Sequence, residues 1–392
     1  MFNENVFKIK YAIREYIPYA EELERKGKKI FYLNIGDPLK YDFQTPKHII
    51  EALYNATKNG YNYYSSSQGD LELRKAIAYK EKKYNNVDIS EDDIVVTNGV
   101  SEAINFLTTL LINPGEKVLL PDPVYPLYPA YVNLNRGIPI FYKCDENNGW
   151  MPNIDDIRNK IDSKVKLLIL INPNNPTGSL YSEKILKEII DIAGEYNLFL
   201  ASDEIYDRIV YEGEFKSLAS LTKDVLIFGL NGFSKTYLMT GWRLGYIYVK
   251  DPENNYRDKI IDGFIRLARC RLCVNTPVQK AGVAAIYGSQ KHLESMILKL
   301  RKRKEYLVKR LKEIGFYTTN PNAAFYVFPK INIDDNKFTF KLLLEENVLV
   351  VHGSGFGENG RNHLRIVFLP PQEIMEEALN RIERFYRKYY AR

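Results

Sequence analysis

The sequence predicts an α/β fold: a mainly parallel sheet covered by helices in a large domain, with a smaller α+β domain beside it. Three observations predict it. From about residue 90 to 290, short apolar, β-branched runs alternate with longer helical patterns, the rhythm of repeated βα units. Those runs are apolar at consecutive positions, which suits strands buried on both faces. The tail breaks the rhythm with a long charged helix, scattered strand patterns and a final helix, and reads as a separate unit.

The elements follow in order. The start is helical and then strand-like at Lys29–Leu33. Strands are predicted over Ile94–Thr97, Lys117–Leu120, Ile138–Tyr142, Val165–Ile171, Leu198–Ser202, Val225–Leu230 and Leu244–Val249. Helices are predicted over Ser101–Leu111, Ser182–Tyr196 and Tyr256–Arg266. The tail carries a helix over Lys291–Ile314, strands over Phe325–Phe328, Val348–Val351 and His363–Phe368, and a last helix over Pro371–Tyr390.

Composition narrows the function. The chain has 392 residues, 45% hydrophobic and 27% charged, enough for two domains and a real core, which excludes a disordered chain. No run approaches the roughly 20 apolar residues of a membrane helix. The start, MFNENVFKIKYAIREY, lacks the apolar block of a secretory signal. A soluble cytoplasmic protein is expected. Lys+Arg 55 against Asp+Glu 49 leaves a net +6 spread along the chain. The basic run Lys299–Arg310 carries Glu305 in a helical pattern and reads as a solvated helix face, not a nucleic-acid surface. Cys270 and Cys273 form a lone CxxC with no second pair and no matching histidine spacing among His48, His292, His352 and His363. Packing is expected of them, and no metal.

The chemistry concentrates just after four predicted strands, where parallel sheets bind ligands. Ile94–Thr97 leads to Asn98-Gly99-Val100-Ser101, a tight turn into a helix start that attracts anions, although Ser101 also suits an ordinary cap. Val165–Ile171 leads to Asn172-Pro-Asn-Asn-Pro-Thr-Gly178, an irregular turn whose asparagines could face a ligand. Leu198–Ser202 leads to Asp203-Glu-Ile-Tyr206; a carboxylate at a buried strand end needs a partner, either a ligand cation or a neighbouring base. Val225–Leu230 leads to Ser234-Lys235-Thr236 and Gly241-Trp242-Arg243, which combine a hydroxyl, an amine and a guanidinium for phosphate binding and imine chemistry.

Taken together, in this order and at these separations, the motifs resemble the class I and II aminotransferases, the pyridoxal-phosphate (PLP) enzymes of fold type I. The resemblance runs from about Asn34 to beyond Arg365. It implies that Lys235 forms the imine with PLP, that Asp203 pairs with the pyridine nitrogen, and that Tyr206 and Asn175 donate to the phenolic oxygen. It implies that Val100, Ser101, Ser234 and Arg243 hold the phosphate. Tyr125 looks like the aromatic that stacks on the ring, with core packing as its plainer reading. Arg365 resembles the arginine that clamps the substrate carboxylate, and Asn175 and Gly36 line the substrate. Tyr64 resembles a tyrosine that reaches the phosphate across a dimer, so a homodimer with shared sites is implied. Ping-pong exchange between an L-amino acid and a 2-oxo acid follows, with Lys235 moving the Cα proton.

The stretches 269–277, 351–357 and 367–371 look closer to alanine aminotransferases than to aspartate enzymes, so L-alanine with 2-oxoglutarate is expected. A broad aspartate or aromatic aminotransferase and a PLP-dependent C–S β-lyase are the alternatives. Arg271, from the other subunit, is a candidate for the distal carboxylate of 2-oxoglutarate, with a structural role as its plainer reading. The glycines of 353–357 read as close packing. The expected division is a large domain over 46–290 and a small one joining 1–45 with 291–392, so that Gly36 and Arg365 meet over the cofactor.

Overall fold

The computed structural model describes residue 2 and residues 4–390. Residues 1, 3, 391 and 392, which the expected small domain includes, lie outside the described residues. In chain order the strands are β1 (Phe31–Tyr32), β2 (Ile94–Thr97), β3 (Lys117–Asp122), β4 (Ile138–Asp145), β5 (Met151–Pro152), β6 (Val165–Ile171), β7 (Phe199–Asp203), β8 (Ile227–Gly232), β9 (Gly245–Lys250), β10 (Tyr326–Val327), β11 (Val348–Leu349), β12 (Val351–His352) and β13 (Leu364–Val367).

The main sheet has the order β2-β9-β8-β7-β6-β3-β4-β5. From β8 to β4 the neighbours are parallel. β9 runs antiparallel to β2 and β8, and β5 antiparallel to β4. The mainly parallel α/β sheet is therefore the fold expected, and all seven predicted strands lie in it, their ends moved by at most three residues. β5 carries no strand pattern in the sequence; it forms by pairing with the edge of β4.

Consecutive apolar residues in β6 do serve both faces. Leu168 and Leu170 join one core with Ile189 and Leu200, while Leu167, Ile169 and Ile171 join the other with Leu107 and Phe264. Each such buried side chain contributes roughly 2 kcal/mol. Helix Val100–Leu111 covers the second face.

A further core gathers Leu33, Leu300, Phe325, Leu364 and Phe385 with Ile205, Tyr206 and Leu238 from the loops after β7 and β8. The long helix Lys291–Ile314 crosses it and ends at Gly315, whose positive φ of 103° closes the last turn. Two members of its basic run are buried and paired, Arg303 with Asp42 at 2.7 Å and Lys304 with Glu212 at 2.8 Å, while Arg301, Lys302 and Lys309 are exposed as expected of a solvated face. The start of the chain reaches this core through β1, which pairs parallel with β11, and through Leu33, whose carbonyl accepts from the Val367 amide at 3.0 Å. Of the cysteines, Cys144 is buried, but Cys270 is exposed, so the packing expected of Cys270 is corrected: it ends helix Arg257–Cys270 facing outward.

Candidate active site

The carboxyl ends of β2, β6, β7 and β8 open into a cavity of about 570 Å³. Eleven of the twelve residues singled out from the sequence line it: Gly36, Val100, Ser101, Tyr125, Asn175, Asp203, Tyr206, Ser234, Lys235, Arg243 and Arg365. Tyr64 does not; it is 78% exposed on the loop before Gly69.

One end of the cavity suits a phosphate. Gly99 has φ +74°, and a Cβ there would stand 2.5 Å from Arg243 Nη2, so only glycine lets the arginine lie against the turn. Arg243 itself sits in the left-handed region and donates to the Thr240 carbonyl at 3.1 Å and towards Ser101 Oγ at 3.5 Å. It enters no ion pair among the described residues. The first N–H groups of helix Val100–Leu111 point the same way, and Ser234 adds a hydroxyl.

At the middle, the Asp203 side chain accepts from the Tyr128 hydroxyl at 2.7 Å and from the Ile205 amide at 3.2 Å. Burial pushes its carboxyl up to about 6, because no cation contacts it among the described residues. Lys235 Nζ donates to the Gly36 carbonyl at 2.6 Å. Burial, joined by the Arg365 and Arg243 charges, lowers its amine to about 8 against the pull of Asp37 and Asp203. The turn that follows Asp203 at the end of β7 and carries Tyr206 is pinned from behind. Asp207 accepts from Lys80, from Asn85 at 3.0 Å and from Asn231 at 2.9 Å, all buried.

At the far end Arg365, 1% exposed, donates to Asn175 Oδ1 at 3.1 Å and to the Asn34 carbonyl at 2.5 Å. Its Nε has no partner, and no carboxylate pairs with it among the described residues. A buried guanidinium so held has N–H groups free to receive a carboxylate. The Tyr206 and Tyr326 hydroxyls lie 2.7 Å apart, and the Tyr125 hydroxyl meets that of Tyr11 at 2.8 Å.

Sequence reasoning missed Tyr326, Tyr11, Arg14 and Lys40, which line the cavity, and Tyr128, which donates to Asp203. Tyr128 lies three residues after Tyr125, and Tyr326 lies in the predicted strand Phe325–Phe328, but nothing in a chain of 30 tyrosines separates them from packing residues. Arg14 and Lys40 reach the cavity wall and enter no ion pair among the described residues. Arg271 requires a correction. Its guanidinium bonds Glu102 at 2.9 Å, the Val96 carbonyl at 2.6 Å and the Ser67 carbonyl at 3.3 Å, so it ties loops of its own chain and is not available to a substrate.

This layout, a parallel sheet presenting a lysine, a buried aspartate and an anion cradle at its strand ends, is the type I fold of PLP-dependent transferases. The family description "Aminotransferase class I and II" matches residues 28–382. The chain belongs to that family and is an aminotransferase. It is 49% identical to an alanine aminotransferase from Pyrococcus furiosus, with a TM-score of 0.97 over 99% of this chain and 100% of that one. It is 38% identical to the glutamate-pyruvate aminotransferase AlaA of Haemophilus influenzae, over 94% of each. It is also 38% identical to a probable aspartate aminotransferase of Methanocaldococcus jannaschii, over 90% of this chain and 92% of that one.

Proposed function

We propose that this aminotransferase binds PLP and exchanges the amino group of L-alanine with 2-oxoglutarate, giving pyruvate and L-glutamate. The observation that carries the reading is the meeting of Lys235, Asp203 and Arg365 around one cavity. The chain's residues fit the cofactor: a helix start, Ser101, Ser234 and Arg243 for its phosphate, Asp203 for its ring nitrogen, Tyr206 and Asn175 for its phenolic oxygen. Tyr125 would cover the ring. When bound, PLP supplies a carbonyl carbon that takes the amino group and a ring that withdraws electrons from the substrate Cα. The protein does the rest. Arg365 grips the α-carboxylate with the N–H groups left to it, and Asn175, whose Oδ1 is already engaged by Arg365, turns its amide N–H₂ inward. The Lys235 amine moves the Cα proton, helped by an amine that is neutral above about pH 8.

Alanine is favoured by the names of the Pyrococcus and Haemophilus relatives, and the Methanocaldococcus relative keeps aspartate as the second reading. Arg14, at the cavity mouth, is the residue we assign to the distal carboxylate of 2-oxoglutarate. The division into a large domain (46–290) and a small one (1–45 with 291–392) remains our reading of how the site is divided. A cytoplasmic homodimer completes the proposal. Three free cysteines suit a reducing compartment, and the exposed aromatics Tyr54, Tyr63 and Tyr64 suit a partner surface that would carry Tyr64 to the neighbouring phosphate.

A half-reaction screen tests this. The PLP-loaded enzyme is mixed with single amino acids and the loss of cofactor absorbance is followed. Alanine and glutamate should convert it fastest, and Lys235→Ala should not respond. Faster conversion by aspartate would favour the second reading, and release of pyruvate and ammonia from cysteine would mark a lyase. Arg14→Ala should raise KM for 2-oxoglutarate by roughly 10- to 100-fold, the loss of a charged hydrogen bond, and leave the alanine half-reaction unchanged.

A further inference from the structure

Tyr326 stands between three residues of the site, yet the reaction as described gives it no task. Its side chain is buried on β10. Its hydroxyl lies 2.7 Å from that of Tyr206, and the two rings meet edge to face with centroids 5.8 Å apart. The Arg365 guanidinium lies over its ring at 4.7 Å. The same hydroxyl lies against Gly36, where a Cβ would approach it to 2.3 Å, so the glycine is what admits it. Phe325, its neighbour in sequence, fills the same core without a hydroxyl. Packing alone would be served by phenylalanine at 326, because a buried hydroxyl costs free energy unless it is bonded.

The direction of the bond between the two hydroxyls decides what it does. Each has one proton, and no other side chain or backbone group bonds either of them among the described residues. A cation over the face of a phenol ring draws electron density from it and makes its O–H the better donor. Here the cation lies over Tyr326. If Tyr326 donates, the proton of Tyr206 is left to point into the cavity. We propose that Tyr326 is a positioning residue: its hydroxyl donates to Tyr206, so that Tyr206 offers its own proton to the phenolic oxygen of PLP. This rests on the PLP reading above. The relay Arg365–Tyr326–Tyr206 also links the group that receives the substrate carboxylate to the group that faces the cofactor ring. A donor strengthened by a second donor behind it withdraws more charge from the oxygen it meets.

The test is a pH titration of the absorbance of the PLP-loaded enzyme. Donation to the phenolic oxygen favours the deprotonated chromophore, so weakening it should move the midpoint up. Tyr326→Phe should raise the midpoint by roughly half a unit. Tyr206→Phe should raise it further, and the double variant should match Tyr206→Phe alone, because Tyr326 acts only through Tyr206. KM for alanine should stay within twofold in Tyr326→Phe, since the ring under Arg365 is kept. If Tyr326→Phe does not fold, Tyr326→Met, which also lacks the hydroxyl, reads the same midpoint. An unmoved midpoint, or a shift that adds to that of Tyr206→Phe, overturns the relay while leaving the PLP reading intact. A wild-type enzyme that takes up no PLP overturns both.

Discussion

Lys235 is held where its proton is easiest to lose. Burial, with two guanidinium groups nearby, brings the amine to about 8. A neutral amine attacks a carbonyl and an ammonium does not. Uptake of PLP by cofactor-free enzyme should therefore quicken by about tenfold per pH unit below 8 and level off above it. Stopped-flow absorbance would record this, and a rate still climbing at pH 10 would contradict it. At this scale the sequence disclosed the groups that gather at the cavity, because Ser234-Lys235-Thr236 and Asn172–Gly178 are motifs whose order and separation are fixed. It did not disclose Tyr128 or Tyr326, whose significance lies in a hydroxyl meeting Asp203 or Tyr206 from a distant stretch of chain. Arg271 failed for the same reason in reverse: its place near Asn275-Thr276-Pro277 suggested a ligand, and Glu102, 169 residues away, claims it.

The turn between β2 and its following helix forms the end of the cavity proposed for the phosphate. Its geometry depends on one backbone conformation, the left-handed φ of Gly99, and on the absence of a side chain facing Arg243. Gly99→Ala should lower stability by about 1 kcal/mol and raise the Kd for PLP by at least tenfold. Affinity for pyridoxal, which lacks the phosphate, should barely change. Equal losses for both ligands in a fluorescence titration would show a general distortion instead. Strands were legible wherever a buried run of three or more apolar residues fixed them, as in β2 and β6. The short strands were less so. The predicted run Val348–Val351 becomes two strands, β11 and β12, each paired with a different neighbour, and β5 exists only because β4 offers an edge. The parallel pairing of β1 with β11 joins residues more than 300 positions apart, beyond the reach of local pattern.

For the whole molecule, the reading of a shared site predicts a particle of twice 45.6 kDa by sedimentation. Tyr64→Phe should weaken PLP several-fold without changing that mass, and a monomer with full activity would refute the shared site. The alternating core of the sheet and the long tail helix were plain from periodicity, and they brought the chain ends to the cavity as expected from Gly36 and Arg365.

The cavity is furnished from two kinds of segment. Within one chain's cavity, the residues proposed for the cofactor come from the middle of the chain, between Val100 and Arg243, while Arg14, Gly36 and Arg365, proposed for the substrate, come from its two ends. Mutation at a residue such as Arg14 can therefore retune what the enzyme accepts while the middle of the chain keeps its residues. One lineage can in this way diversify over many amino acids from a single ancestral scaffold.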